Sequence, residues 1–512
     1  MRVKLHVFHL AVAINCFWFG QNSAAAIPQI VSSDTHTLAL KSDGSLWAWG
    51  NNYRGVLGDG TTTSRPSPVL IGREFVNIAA GYLSSFAIKK DGSLWAWGPN
   101  EQGQLGDGST TDQLRPVKIG ENFELVVANW FSAAALSRDG GLWTWGKNAH
   151  GILGIGSLTP PVLTTPVRIG EGFKKLASSK AHVLALKGDG SLWGWGANGE
   201  GELGDGTLTD RYIPKLLGQG FESITAGESF SLAIKRDGTL WAWGWNAYSP
   251  LGIGKLSTGL YPDPRWPAGV FVNRPTKVSG TGYVAVTNGS YHAHAIKADN
   301  SLWGWGLGIY GALGDGLDTA PDGKTHIVYE PKKIGDEYWK TTPGGGGNSG
   351  FAITFDGTLF AWGGNAGGLL GDGTLINRLV PTNIGFNVYT DQPEVTMVSI
   401  GTLRRRSVKA QFSPARMDAG KFGCSFVAAV FPWDGSILTL SSNGWGVHDD
   451  RNPSPFRCGR LTAQEAELAI EADLSQYSGA HIYIGYGLGS VPRDALRDML
   501  TNNRVFHRYT VE

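Results

Sequence analysis

The string Asp43-Gly44-Ser45-Leu46-Trp47-Ala48-Trp49-Gly50 constrains this chain more than any other, because near-copies of it return six times before residue 386. The copies open at Asp91, Asp139, Asp189, Asp237, Asp299 and Asp356, with successive spacings of 48, 48, 50, 48, 62 and 57 residues. A period of that size signals a repeat architecture that builds one supersecondary unit each time. Within the unit, Asp-Gly, or Asp-Asn at Asp299, supplies a residue that tolerates positive φ, so two strands meet in a tight turn. The Leu-Trp-Ala-Trp run that follows lacks polar alternation. A short apolar run bounded by turn signals reads as a strand buried on both faces, so neighbouring sheets must cover it from either side.

A second shared string follows each copy. Asn stands two positions beyond the closing glycine (Asn52, Asn100, Asn148, Asn198, Asn246, Asn365), with Gly308 departing in the sixth unit. Such an Asn bonds its own backbone and fixes a turn. Next come a glycine, Ser249 in the fifth unit, and a Leu-Gly pair at Leu57, Leu105, Leu153, Leu203, Leu251, Leu313 and Leu370. Upstream of each Asp-Gly lie two short apolar runs, such as residues 76–80 and 86–88, and downstream a proline-containing run such as 116–119. Each unit therefore holds about four short strands, the content of a propeller blade.

These strings resemble the regulator of chromosome condensation repeat family. The resemblance implies a seven-bladed β-propeller over residues 27–385. It does not settle the task, because members of that family include a nucleotide-exchange factor on chromatin, a plant ultraviolet sensor and secreted bacterial inhibitors of β-lactamases. The expected fold class is all-β: the propeller, then a small β-sandwich-like domain.

Residues 1–26 have the layout of a secretory signal, with Arg2 and Lys4 before an apolar stretch over about 7–19 and Ala24-Ala25-Ala26 before Ile27. The stretch is shorter than the roughly 20 residues a spanning helix needs. The mature protein is therefore expected to be exported, to the periplasm, cell surface or medium, with no membrane insertion after cleavage. Cleavage removes Cys16 and leaves Cys424 and Cys458, an even number in an exported chain, which points to one disulfide. Residues 386–394 read as a linker and 395–512 as a C-terminal β-rich domain. Strands are expected there at 395–400, 408–412, 425–431, 437–440, 467–472, 481–487 and 505–511, with one short helix at 495–500. Parts of this domain loosely resemble a module attached to exported bacterial proteins.

A net charge of +1 gives no electrostatic reason to bind nucleic acid or anionic membrane. Of the 20 tryptophans, 13 occupy the Leu-Trp-x-Trp strands, so they are core before they are ligand-binding. The column seven positions before each Asp-Gly (His36, Ser84, Ser132, His182, Phe230, His292, Ser349) reads as polar side chains satisfied by backbone groups, not as a metal cluster. The Gly-Asp-Gly steps at Asp59, Asp107, Asp205, Asp315 and Asp372 lack the alternating acidic ligands of a calcium loop. No metal, cofactor or catalytic residue is expected, since no nucleophile with its base and no convergent carboxylates recur.

The expected function is a non-catalytic protein-interaction platform with an unknown protein partner. The alternatives are a carbohydrate-binding adhesin acting through Trp433, Trp445 and Tyr486 of the C-terminal domain, and a propeller hydrolase or lyase. Counting from the Leu-Gly glycine to the proline of the last strand gives 10 residues in four units, 12 in the third, 23 in the fifth and 17 in the sixth. The insertions 255–274 and 317–330 should therefore stand side by side on one face. They carry Tyr261, Arg265, Trp266, Phe271 and Tyr329, residue types typical of binding hot spots.

Overall fold

The computed structural model describes residues 26–254, 271–319 and 325–390 apart from 338, 341–345 and 356, together with the strands of the C-terminal part. Seven antiparallel sheets follow one another in chain order. The first blade is Gln29–Ser32, His36–Leu40, Leu46–Gly50 and Arg65–Gly72, paired in that order from the channel outward. The next five blades repeat it with inner strands Phe75–Ala80, Phe123–Ala128, Phe173–Ser178, Phe221–Ala226 and Tyr283–Asn288. The seventh blade shows three strands among the described residues, Ser349–Ile353, Thr358–Gly363 and Arg378–Asn387. Gly346 and Gly347 line the channel where its inner edge falls.

The repeated string does what its chemistry requires. Gly44 sits at φ 78°, and Asn300, its counterpart in the Asp-Asn copy, at φ 63°, so both take the left-handed turn. Asp43 accepts the Ser45 amide (2.8 Å), and Ser45 Oγ in turn accepts Trp47 Nε1–H (3.0 Å). The closing glycine is set by close approach: a Cβ on Gly50 would lie 2.8 Å from the Thr35 carbonyl.

The two aromatic residues of each strand, two positions apart and so on the same face of the sheet, have different fates, with Phe360 in place of the first tryptophan in the seventh blade. The second is fully buried in every blade. In six of seven blades its indole N–H donates to a carbonyl of the preceding blade, as Trp195 does to Ile152 (2.8 Å) and Trp49 to Leu369 (2.9 Å). Burying an indole removes a large apolar area from water while its one donor keeps a partner. The first tryptophan is partly buried, and in five blades a lysine ammonium covers its ring, for instance Lys297 Nζ at 3.8 Å above Trp303.

One contact repeats around the whole ring. The second glycine of each Gly-Asp-Gly step, or its counterpart, donates its N–H to the outer strand of the next blade: Gly60 to Leu114, Gly108 to Thr164, Gly156 to Tyr212, Gly206 to Asn273, Gly254 to Tyr329 and Gly316 to Leu379. Gly373 then bonds Pro66 of the first blade at 2.9 Å, so the seventh blade meets the first as any blade meets its neighbour. The same join holds a core of Ala39, Trp49, Phe351, Leu370, Phe386 and Val388. Each blade is thus built from one continuous repeat, and packing closes the ring.

The last outer strand runs to Asn387, and Val388 is fully buried. Residues 386–389, expected as linker, belong to the seventh blade. Beyond them lie two antiparallel sheets, of three and six strands. Their strands include Val395–Thr402, Arg405–Phe412, Phe422–Val430, Ile437–Ser441, Ala466–Ala472, His481–Leu488 and Val505–Thr510, close to the seven expected. Gly444–Val447 and Arg457–Arg460 are additional. The helix expected at 495–500 lies outside the described residues, as do residues 1–25.

Candidate functional site at the channel mouth

In each of the first six blades the inner strand runs toward one face of the ring and the second strand returns from it. The reversal is a tight turn sealed by a backbone bond, as Ser33 N–H to the His36 carbonyl (2.9 Å) and Gly227 N–H to the Phe230 carbonyl (2.7 Å). The residue at each turn tip, two before the histidine or serine column, is Asp34, Tyr82, Trp130, Lys180, Glu228, Ser290 and, in the last blade, Gly347. All seven line one cavity of about 370 Å³ at the channel. The scaffold repeats, but the chemistry it presents changes at every blade.

The ring of tips has two halves. On one side Tyr82 stacks on Trp130 with centroids 5.0 Å apart and planes 30° from parallel, and Lys180 Nζ lies 4.1 Å over the Trp130 ring. Lys180 also pairs with Glu228 at 3.0 Å, which joins this half to the other. On the other side Asp34 leans past the last blade, where Gly347 offers no side chain. A Cβ on Gly347 would stand 2.7 Å from Asp34 Oδ1. That oxygen accepts a hydrogen bond from Ser290 Oγ at 3.3 Å.

Asp34 is open to solvent but ringed by protein, and this crowding raises its carboxyl above the usual range. The Glu228 charge adds to the rise, while Ser290 and Lys180 oppose it. Behind Glu228, Tyr291 packs with Trp245 (5.4 Å) and Tyr248 (5.6 Å), and burial followed by the Glu228 charge pushes its hydroxyl up to about 12.

Below the tips, the histidine column is satisfied differently from the sequence reading. His36 Nε2 bonds Ser85 Oγ of the next blade at 2.7 Å, and Ser85 donates to the Val56 carbonyl at 2.7 Å. His182, Ser231 and the Glu202 carbonyl repeat this relay. Side chains of the neighbouring blade, not backbone groups, complete these histidines. In the sixth blade the residue facing His292 is Gly350, and a Cβ there would lie 2.3 Å from the Trp362 ring, so a serine cannot enter. Among the described residues neither ring nitrogen of His292 makes a well-formed hydrogen bond.

Four of the five Gly-Asp-Gly carboxylates are held by cations of their own blade, as Asp59 by Arg65 (2.8 Å) and Asp205 by Arg211 and Lys215 (2.5 and 2.9 Å), while Asp107 accepts the Gln113 amide (3.0 Å). Asn52 and Asn198 reach across the loop to these aspartates (3.1 and 3.2 Å) and to a leucine amide, beyond their own backbone. Among the described residues no group of three or more His, Cys, Asp or Glu could hold a metal ion.

The long connections of the fifth and sixth blades each join a third strand to a fourth, Leu240–Trp245 to Phe271–Lys277 and Leu302–Leu307 to Ile327–Ile334. In an antiparallel blade that connection leaves from the face carrying the turn tips, so the described strand ends on either side of each insertion lie on the face of the channel mouth. Phe271 opens its outer strand opposite Trp245, and Tyr329, 36% exposed, accepts the Gly254 N–H through its carbonyl. Tyr261, Arg265 and Trp266 lie outside the described residues. The tip residues Asp34, Tyr82, Trp130, Lys180 and Glu228 were not singled out from sequence. The signal was there: aligned on the repeat, theirs is a column at one fixed offset in which all seven copies differ.

Two family models, both described as regulator of chromosome condensation (RCC1) repeat, match the chain. One covers residues 43–88, 91–135, 139–186, 189–234 and 356–402. The other covers 29–56, 75–104, 173–202 and 221–249, and together they span just over half of the sequence. Among curated proteins, the human probable E3 ubiquitin-protein ligase HERC6 is 29% identical over 229 residues, 43% of this chain and 20% of that protein. The ultraviolet-B receptor UVR8 of Arabidopsis thaliana is 27% identical over 173 residues, 31% of this chain and 37% of that protein. The matched stretches span from 6% to 37% of the length of the curated relatives. Among solved structures, Prp20p of Saccharomyces cerevisiae superposes with a TM-score of 0.59 at 21% identity, covering 72% of this chain and 90% of that one. Human WBSCR16 gives 0.57 at 20%, covering 67% and 94%. At these identities the likeness concerns the fold. Prp20p has binding properties to Gsp1p and histones, and Kap60 has been seen bound to it.

Proposed function

The chain belongs to the regulator of chromosome condensation (RCC1) repeat family, and from that premise we propose that it is an exported, non-catalytic platform that engages a protein partner through one face of its propeller. The observation that carries this reading is the concentration of variation on a single face. The seven turn tips, each chemically different, and both long connections open there, while the strands beneath repeat nearly unchanged. Loops grouped on one face of a repeat scaffold are commonly where partners bind, because the scaffold fixes their position and tolerates their variation. Phe271 and Tyr329 flank the two connections, and aromatic residues are over-represented among binding hot spots. Protein binding by Prp20p on the same fold supports the same general reading.

Export rests on the layout of residues 1–26. It is supported by the register of the C-terminal sheet, where Cys424 stands directly opposite Cys458. The test is affinity capture from envelope and medium with two baits, the full chain and a variant whose connections in the fifth and sixth blades are cut to the 10-residue form of the first blade. The variant should keep its circular dichroism spectrum and lose the captured partner. An unchanged set of partners on a folded variant would refute the placement.

A further inference from the structure

We infer that the channel mouth is a subsite for a single cationic side chain, arginine or lysine, projecting from the protein partner, with Asp34 as its counter-charge. The inference deepens the platform reading and rests on it for the source of the side chain. The chemistry of the mouth selects charge first. Two carboxylates, Asp34 and Glu228, face one ammonium, Lys180. That ammonium is already committed, paired to Glu228 at 3.0 Å and seated 4.1 Å over Trp130. Asp34 has only the Ser290 hydroxyl, at 3.3 Å, and no ion pair among the described residues. The mouth therefore keeps one uncompensated negative charge, and a hydrogen-bonded cation would gain more from it than a neutral group.

Size and shape come next. A cavity of about 370 Å³ lies at the small end of ligand sites, enough for one long side chain. Gly347 lets the Asp34 carboxylate keep its place at the channel mouth, since any Cβ there would collide with it. Tyr82, on the blade next to Asp34 and stacked on Trp130, gives the aliphatic stem an apolar wall. A bare divalent metal fits poorly, because it wants six or more oxygen ligands and Lys180 would repel it. An anion would meet Lys180 only after breaking its pair with Glu228.

The test uses the full-length protein, isothermal titration and the blocked tripeptide acetyl-Gly-Arg-Gly-amide, with citrulline and glutamate analogues in place of arginine. The arginine peptide should bind about tenfold more tightly than the citrulline peptide, the factor expected when a charge-assisted hydrogen bond replaces a neutral one. Asp34→Asn, a change at an exposed turn tip, should abolish that preference and leave the melting temperature unchanged. Lys180→Met should strengthen arginine binding by freeing Glu228, which a merely structural role for the ring would not do. Equal binding of the arginine and citrulline peptides, preference for glutamate, or an Asp34→Asn protein that binds as before would each overturn the subsite. Free L-arginine binding far more tightly than the blocked peptide would overturn it too, by pointing to a small-molecule site. If loop shortening abolishes partner capture and Asp34→Asn does not, the platform stands and the subsite falls.

Discussion

Glu202 shows how one departure within a repeat sets a pH dependence. Its counterpart one blade earlier but one, Gln104, accepts the Gln102 amide at 2.9 Å, and Glu202 makes the same bond to Glu200 (2.9 Å). Burial pushes the Glu202 carboxyl up to about 7. A carboxyl raised in the folded state binds its proton more tightly there than in the unfolded chain, so it destabilises the fold as pH climbs from the ordinary value of 4.5 through 7. The buried histidines act on the acid side. His36 and His182 are held down to about 3 and His294 to about 4, all by burial, so the folded state refuses protons that the unfolded chain takes up. Their contribution is fully present above 6.5 and is lost as pH falls toward 3. Denaturant titration against pH should therefore show stability falling steeply below 6.5 in both wild type and Glu202→Gln. Above pH 7 the variant should be more stable by about 1–3 kcal/mol, and at pH 4 the two should coincide. A variant no more stable than wild type at pH 8 would contradict the buried-carboxyl account.

At the scale of the element, the blade strand and the cysteine-bearing strand pair of the C-terminal part make different demands. A Leu-Trp-x-Trp strand is specified locally, by its turn and its apolar run, and its burial is delivered by the next blade. The pair Phe422–Val430 and Arg457–Arg460 is specified by register alone, which sets Cys424 against Cys458. Directly opposed Cα atoms in an antiparallel pair lie roughly 4.5–5.5 Å apart, within the span a disulfide accepts. In the exported protein these cysteines should be bonded to each other, and non-reducing peptide mapping should recover their two peptides joined. The closed loop would stabilise this part of the chain by roughly 3 to 4 kcal/mol in the chain-entropy account. Quantitative labelling of both thiols in folded, exported material would contradict the pairing.

Over the whole molecule, the observed closure and the proposed export are two matters that no single element carries. The Gly373 to Pro66 bond and the core shared by Trp49 and Phe351 make the join between the last blade and the first equivalent to the other six. The ring therefore begins at its first inner strand, with Ala26 already bonded to Ser42. Cleavage of the proposed leader just before that strand would leave the closure intact. N-terminal sequencing of the mature protein should accordingly give a start between residues 25 and 29, and recovery of Met1 in the exported fraction would contradict export by this route.

The sequence by itself determined the blade: its number, its four-strand content, the left-handed turn at Gly44 and Asn300, and the buried second tryptophan. All of these depend on residues close together in the chain, and sevenfold repetition amplifies each signal. Only the tertiary structure decided what the ring presents. Asp34, Tyr82, Trp130, Lys180 and Glu228 are about 50 residues apart in succession, and each alone looks like an ordinary turn residue. They become neighbours because the inner edges of the blades converge on one channel. Packing of blade on blade explains the satisfied histidines, whose serine partners lie one blade away, and the fate of residues 386–389, which look like linker locally but place Phe386 and Val388 in a core shared with Ala39 and Trp49 of the first blade. Local spacing fixes what repeats. Closure of the ring fixes which non-repeating residues meet.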